Sequence, residues 1–409
     1  MAPNLSYPKS KINVLLLENI HPRAAEQFTQ GGFSLETLPS SLSEDELARK
    51  IKDVHVLGIR SKTQITPKVL QAADRLMSIG AFCIGTNQID LNECRLKGVP
   101  VFNAPFSNTR SVAEMILGEI VMLARQLGDR SREVHQGVWK KISQGCFEIR
   151  GKTLGIVGYG HIGSQVSVLA ESFGMKVIYH DIITKMPMGN SRQLKTLQEV
   201  LEASDFVTLH VPETAQTKNM IGEAQLTRMK RGAYLLNASR GSVVVIEALA
   251  KALQSGHLAG ACVDVYPEEP QGQSSDFKTS LQGLPNVVLT PHIGGSTEEA
   301  QENIGLEVSS SLLKFMNNGS SYGSVNFPSV DLPVLEGSHR ILNVHKNVPG
   351  VLKNINGIFS DLGANIQGQY LATDSEIGYL IVDLDTKVSD QVKDRLKALS
   401  TSLRTRVLY

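Results

Sequence analysis

The sequence has little of what marks a specialised surface. Its 41 Lys and Arg stand against 40 Asp and Glu, a formal charge of +1, so it carries no electrostatic footprint for nucleic acid or an anionic membrane and neither is expected as a partner. No apolar run approaches the roughly 18 residues of a membrane span. The longest near the start, Ile12 to Leu17, is interrupted by Asn13 and followed by Glu18. Without a small-residue cleavage site it reads as a strand rather than a signal peptide. The four cysteines, Cys83, Cys94, Cys146 and Cys262, form no C-x-x-C pair, which fits reduced, packed thiols in a cytoplasmic protein. No metal ligand set is assigned. Trp139, the single tryptophan, reads on its own as a packing anchor.

What is present is ordinary globular material with many turns: 41% apolar residues, 20% charged residues and 35 glycines in 409 residues. At roughly 100–200 residues per domain the chain should hold two to four domains. INVLLL, a helix opening at the Ser43-x-x-Glu46 capping box, VHVLGIR, a helix started by Thr66-Pro67, MSIGAF and VPVFNAP form a first βα array. A long amphipathic helix, Ser111 to Leu127, follows a junction near 105–110. A second array runs from KTLGIVG to NVVLTPH. Repeated βα units predict doubly wound parallel sheets of the Rossmann or flavodoxin type. Asn317 to Gly337, rich in Ser, Gly, Asn and Pro, reads as a linker. Beyond it, ILNVHKN, a helix from Pro349 to Leu362, ANIQGQYLATD, IGYLIVDLD, a helix over 389–399 and RTRVLY give the βαββαβ order of a ferredoxin-like domain.

The strand LGIV leads into Gly158-Tyr-Gly160-His-Ile-Gly163, a helix follows, and the next strand, KVIYH, ends at Asp181. In that setting G-x-G-x-x-G is a dinucleotide fingerprint. Gly158 permits the tight turn, Gly160 lets backbone N–H groups approach a pyrophosphate, and Gly163 allows close helix–strand packing. Asp181 would accept hydrogen bonds from a ribose and repel a 2′-phosphate, which favours NAD over NADP.

Arg240 follows the strand AYLLNAS, Glu269 lies in CVDVYPEEP, and His292 closes NVVLTPH. All three stand at the C-terminal ends of predicted strands, where open α/β sheets bind ligands. The set suggests oxidation of a 2-hydroxy acid: an arginine holds the carboxylate, an imidazole takes the hydroxyl proton, and a carboxylate orients the imidazole. On pattern alone each has a plainer alternative: a salt-bridged arginine, a solvated acidic turn at Glu268 and Glu269, and a capping histidine.

The glycine turn, NASRG, DVYPEEP and TPHIGGST, in this order and spacing, resemble the D-isomer-specific 2-hydroxyacid dehydrogenase family, and the C-terminal βαββαβ with HKNVPG resembles an ACT domain. The resemblance runs across essentially the whole chain and is to short-form members that pass straight from catalytic core to ACT domain. It implies a discontinuous substrate-binding domain of residues 1–107 and 296–330, an NAD-binding domain of 108–295 and an ACT domain of 337–409. The catalytic positions it implies are Arg240, Glu269 and His292, with Glu269 chosen over Glu268 because it precedes Pro270. It places cofactor contacts at His161, Ile162, Asp181, His210, Pro212, Ala238, Asp264, Gly294 and Gly295. It places substrate contacts at Arg60, Ser61 and Asn108, with Trp139 and Lys141 reaching over from a partner subunit. The implied reaction is oxidation of D-3-phosphoglycerate by NAD at the start of L-serine biosynthesis, in a homotetramer held by cofactor-domain and ACT-domain contacts. A relative acting on glyoxylate, 2-oxoglutarate or D-lactate, or an NAD-sensing binding protein, shares the same core motifs.

His345-Lys346-Asn347-Val348-Pro349-Gly350 is a strand-to-helix turn in which Pro349 can take the first helical position beside unused backbone donors. Asn347 and Asn365 could hold an amino acid's polar groups across paired ACT domains, or could simply cap turns. The resemblance makes L-serine the expected effector, with His345 close by.

Overall fold

The computed structural model describes residues 7–270, 275–333, 337–385 and 388–408. The chain forms two compact units, Met1–Ser107 with Gln301–Tyr409, and Asn108–Ala300.

In the first unit β1 (Asn13–Leu16), β2 (Ser34–Thr37), β3 (Val56–Ile59), β4 (Ser78–Ala81) and β5 (Val101–Asn103) build a parallel sheet in the order β2-β1-β3-β4-β5. The inner strands are apolar on both faces, as parallel strands covered by helices must be. Val14, Leu16, Val56 and Phe102 face Phe28 and the residues Val308, Leu312 and Phe315 of the helix Glu298–Asn318. Leu15, Leu57, Ile79 and Val101 face Leu47, Val69, Leu70 and Cys94. The capping box at Ser43 and Glu46 and the Thr66 cap before Pro67 both form.

In the second unit β6 (Thr153–Val157), β7 (Lys176–His180), β8 (Arg192–Gln193), β9 (Phe206–Leu209), β10 (Ala233–Asn237), β11 (Leu258–Val263) and β12 (Val287–Leu289) order as β12-β11-β10-β9-β6-β7-β8. The strand order reverses between β6 and β9, the crevice where such sheets take their ligand. The expected single helix from Ser111 to Leu127 is instead two, Thr109–Arg125 and Leu127–His135. Gln126 breaks it with φ +53, and its Nε2 donates to the carbonyl of Gly145 at 3.1 Å.

The third sheet, again in the first unit, is antiparallel: β13 (His339–Lys346), β14 (Ile366–Thr373), β15 (Ile377–Leu384) and β16 (Ser402–Leu408) in the order β14-β15-β13-β16. Ile341, Leu380 and Val382 pack on Ile355, Phe359, Val392 and Leu396 of its two helices. The opposite face, Leu342, Val344, Tyr379 and Ile381, joins the core of the first sheet. Three expectations need correcting. The helix Glu298–Asn318 overruns the start of the expected linker, and Ser320, Ser321, Asn326, Phe327 and Val330 are buried. Asn326 explains the burial: its Oδ1 accepts the Val101 N–H at 2.8 Å and its Nδ2 donates to the Val99 carbonyl at 3.0 Å, tying a Ser- and Gly-rich segment to β5. The remainder of that linker, 334–336, lies outside the described residues. Pro349 is not the first helical residue, because Gly350 takes a left-handed φ of +87 as N-cap and the helix runs Val351–Asp361. Trp139 is no anchor within its chain; it is 83% exposed.

Candidate active site

β6 ends at Val157 and the chain turns at Gly158, whose φ is +91 and whose Cβ, if it had one, would lie 2.3 Å from the His210 carbonyl oxygen. Only glycine fits there. Gly160 is the N-cap of the helix His161–Ser172, with open space where a side chain would be and no side-chain cap. A Cβ on Gly163 would sit 2.3 Å from the Gly158 carbonyl oxygen. The half-buried Asp181 is drawn against this turn, its Oδ2 accepting the Tyr159 N–H at 2.8 Å and its Oδ1 the Ile183 N–H at 3.2 Å. His210 Nε2 lies 3.0 Å from the Thr208 hydroxyl, and its Nδ1 is buried without a partner. Burial pushes the ring down to about 3, so it is neutral. Ile162 and Ala238 are half-buried, while His161 and Pro212 are exposed. A helix N-terminus with open space at Gly160, a carboxylate at the glycine turn and an orphaned buried nitrogen beside it fit a dinucleotide.

Three strands deliver Arg240, Glu269 and His292. After β10, Asn237 shapes the turn: its Oδ1 accepts the Ser239 hydroxyl at 2.8 Å and its Nδ2 donates to the Arg240 carbonyl at 3.1 Å. At Gly241 a Cβ would fall 1.9 Å from the Tyr266 carbonyl carbon. That glycine therefore lets the Arg240 turn lie on the segment leading to Glu269. Glu269 Oε1 accepts the Tyr266 N–H at 3.0 Å, and its Oε2 is 2.8 Å from His292 Nδ1. Glu268 has no such contact with the histidine. With Nδ1 committed to the carboxylate, Nε2 is the ring nitrogen available for substrate. The hydrogen bond to Glu269 raises the His292 pKa above its ordinary value, against partial burial and the Arg240 charge. Burial pushes the Glu269 carboxyl up, but its bonds to His292 and the Tyr266 N–H, together with the charges of His292 and Arg240, hold it below the usual carboxylate range. The two shifts agree in sign, as an ion pair requires.

His292 itself has φ +55, a left-handed conformation that a non-glycine residue adopts only when its surroundings impose it. The buried Asp264 imposes it. Its carbonyl accepts the His292 N–H at 2.8 Å, Oδ1 accepts the Thr290 hydroxyl at 2.6 Å and the Ile293 N–H at 2.8 Å, and Oδ2 accepts the Gly294 N–H at 2.8 Å. Sequence reading gave Asp264 only a cofactor contact and missed this clamp. A parallel omission is Glu18 in the first unit. Buried, with φ +64, it accepts the N–H groups of Arg60, Lys62 and Thr63 at 3.2, 3.0 and 2.9 Å and so fixes the loop after β3 that carries Arg60 and Ser61. An acid directly after a buried strand was the available signal in both cases.

The other predicted residues are spread more widely. Asn108 is buried at the start of the helix Thr109–Arg125, with its Oδ1 unpartnered and its side chain against Gly295. Lys141 and Trp139 are exposed on an irregular segment that also exposes Val138, Ile142 and Phe147. In the ACT sheet His345 is buried, 3.0 Å from Asn343 Oδ1, and burial lowers its pKa. Asn347 is exposed and bridges to the β14–β15 turn, donating from Nδ2 to the Asp374 carbonyl at 2.6 Å. Asn365 is exposed at the start of β14, and its carbonyl accepts the Asp385 N–H at 3.2 Å. The structure thus joins Glu269 and His292, with Arg240 near enough for its charge to act on both, but it does not bring His345, Asn347 and Asn365 into one contact. Among the described residues no metal-binding cluster occurs and no helix is long and apolar enough to cross a membrane.

Comparison with known proteins agrees with this geometry. Residues 117–294 match the D-isomer specific 2-hydroxyacid dehydrogenase, NAD binding domain, and residues 341–404 match the AHAS small subunit-like ACT domain. The chain is 58% identical over 409 residues to D-3-phosphoglycerate dehydrogenase of Dictyostelium discoideum, covering 100% of both chains. It is 49% identical to the Escherichia coli K12 protein of the same name, covering 99% of each. Among solved structures, D-lactate dehydrogenase from Aquifex aeolicus, complexed with NAD and lactic acid, superposes with a TM-score of 0.66 at 29% identity, covering 78% of this chain and 100% of that one. The chain is therefore an NAD-dependent dehydrogenase and belongs to the D-isomer specific 2-hydroxyacid dehydrogenases, in the D-3-phosphoglycerate dehydrogenase family with a C-terminal ACT domain.

Proposed function

We propose that the protein oxidises D-3-phosphoglycerate to 3-phosphohydroxypyruvate with NAD, supplying L-serine biosynthesis in the cytoplasm. The 2.8 Å contact between His292 and Glu269 at the C-terminal edge of the NAD-binding sheet supports the chemistry best. The full-length likeness to D-3-phosphoglycerate dehydrogenases supports the substrate. Bound NAD supplies the acceptor for the hydride leaving C2. Gly158, Gly160, His161, Ile162 and Gly163 would hold its pyrophosphate, Asp181 its ribose, and His210, Pro212, Ala238, Asp264, Gly294 and Gly295 the remainder.

Arg240 holds the substrate carboxylate and the C2 oxygen. Neutral His292 accepts the C2 hydroxyl proton on Nε2 as the C–H electron pair leaves, which yields the keto acid and an imidazolium paired with Glu269. In reduction the same proton returns to the oxygen. Arg60, Ser61 and Asn108 supply cations and donors for the phosphate end, joined by Lys141 and Trp139 of a neighbouring copy in a homotetramer; the exposed apolar side chains around Trp139 support that assignment. We divide the chain functionally into a substrate domain of 1–107 and 296–330, an NAD domain of 108–295 and an ACT domain of 337–409. L-serine acts at the ACT domain near Asn347 and Asn365.

The deciding assay is NADH formation from 3-phosphoglycerate, followed by absorbance, with and without L-serine and in His292→Ala. The reading requires turnover that serine suppresses and that His292→Ala lowers by about 10²–10⁴-fold. Turnover of another 2-hydroxy acid but not of 3-phosphoglycerate would overturn the substrate assignment.

A further inference from the structure

Between the ACT sheet and the N-terminal edge of the first sheet lies a cavity of about 460 Å³. Its walls include His55, Asp74, Arg75, Lys397, Arg404 and Arg406, four permanent cations and a single carboxylate. Arg404 and Arg406 stand two apart on β16, opposite Val344 and Leu342, so both project from the sheet face that packs on the first sheet. Neither forms an ion pair with a described residue. Arg404 Nη1 donates to the Leu76 carbonyl. Arg406 Nη2 donates to the Met316 carbonyl at 3.4 Å, its guanidinium lies 5.2 Å over the Phe315 ring, and its Nη1 is wholly buried without a partner. Burial drags Arg404 down to about 10 and Arg406 in the same direction.

The same interface shows how a buried arginine is otherwise accommodated. Arg340 on β13 grips Asp383 through two bonds of 2.7 and 2.9 Å. Arg404 and Arg406, each only half-buried, have no such carboxylate, and withdrawing two guanidiniums partly from water without an ion-pair partner is costly unless something brings the charge. His55 adds a neutral donor: the Asn13 N–H binds its Nδ1 at 3.0 Å, which places the ring proton on Nε2. Arg75 has its own partner outside the wall, Asp53 at 3.4 Å. Planar guanidiniums with unspent N–H groups match the oxygens of a tetrahedral anion.

We propose that this cavity binds a small multivalent oxyanion of the phosphate class, seated on Arg404 and Arg406 and tying the ACT sheet to the first sheet. The site is separate from the catalytic one. His55 and Met77 precede β3 and β4, whereas Arg60 and Ser61 follow β3, so the two sites occupy opposite ends of the same strands.

The test uses the full-length protein in a phosphate-free buffer, with inorganic phosphate titrated at constant ionic strength and binding read by calorimetry and thermal melting. The wild type should bind saturably and melt higher with phosphate, and Arg60→Ala should retain that binding. Arg406→Met should lose at least tenfold in phosphate affinity without melting lower in phosphate-free buffer, since it removes a charge that has no counter-ion among the described residues. Lys397→Gln, on the exposed rim, keeps the fold intact and should weaken binding several-fold. Glycerol phosphate binding tighter than phosphate would identify the occupant as a phosphomonoester, and the reverse order would identify the free ion. Phosphate binding that disappears in Arg60→Ala, or that is unchanged in both Arg406→Met and Lys397→Gln, would overturn the proposal.

Discussion

Asp264→Asn tests how His292, the proposed acid–base residue, is held. The wild-type carboxylate accepts from Thr290, Ile293 and Gly294 at 2.6–2.8 Å in a site that is 2% exposed. An amide of the same size can keep its oxygen on Thr290 and Ile293 only by turning its NH2 toward the Gly294 N–H, which is buried and would lose its acceptor. One charge-assisted hydrogen bond is lost and one donor stranded, at a cost of about 1.5–3 kcal/mol. The loss falls on the turn that holds His292 at φ +55, while the bond from the His292 N–H to the residue 264 carbonyl remains. At roughly 1.36 kcal/mol per factor of ten, kcat for reduction of 3-phosphohydroxypyruvate should fall about 10–150-fold. The assay is steady-state NADH oxidation, with NADH affinity from fluorescence titration and folding from a thermal melt. A folded variant whose kcat stays within threefold of wild type would refute the claim that this carboxylate sets the His292 turn.

The remaining predictions concern charge and assembly. In the proposed mechanism reduction needs protonated His292, and Glu269 raises the His292 pKa, so Glu269→Gln should make reduction fail at lower pH and let oxidation persist to lower pH; superimposable pH profiles would remove Glu269 from proton transfer. Asp181→Ala should narrow the preference for NAD over NADP, measured as the ratio of the two kcat/KM values, and an unmutated protein that uses both equally would contradict the role of Asp181. Mixing inactive Lys141→Ala and His292→Ala chains should restore part of the activity if Lys141 serves a neighbouring copy, and hybrids that form yet stay inactive would place the whole site in one chain. Asn347→Ala should keep catalysis and lose serine inhibition; retained inhibition at the original serine concentration would leave Asn347 as the cap of the β14–β15 turn.

Local features of the sequence determined the elements. Apolar runs, caps at Ser43 and Thr66, the glycine turn at Gly158 and the change of element order after residue 337 act within a few residues of chain, where backbone dihedrals and hydrophobic periodicity are set. These signals marked the three sheets and put Arg240, Glu269 and His292 at strand ends. They could not show that Oε2 of Glu269 meets His292, because that depends on how the loops after β11 and β12 converge, with Gly241 leaving room for Tyr266. Nor could they separate Asp264 and Glu18 from other acids that end strands, since each works through backbone donors from distant or irregular segments. The run Ser320 to Val330 has the composition of a solvated linker, and it is buried by long-range bonds to β5, from the Asn326 side chain and from the Val325 N–H to the Val101 carbonyl. Arg404 and Arg406 lie in RTRVLY, which the sequence marks only as the closing strand. Tertiary structure alone decided that these two arginines face the first sheet, because the side on which a strand's neighbours lie is fixed by packing and not by its period.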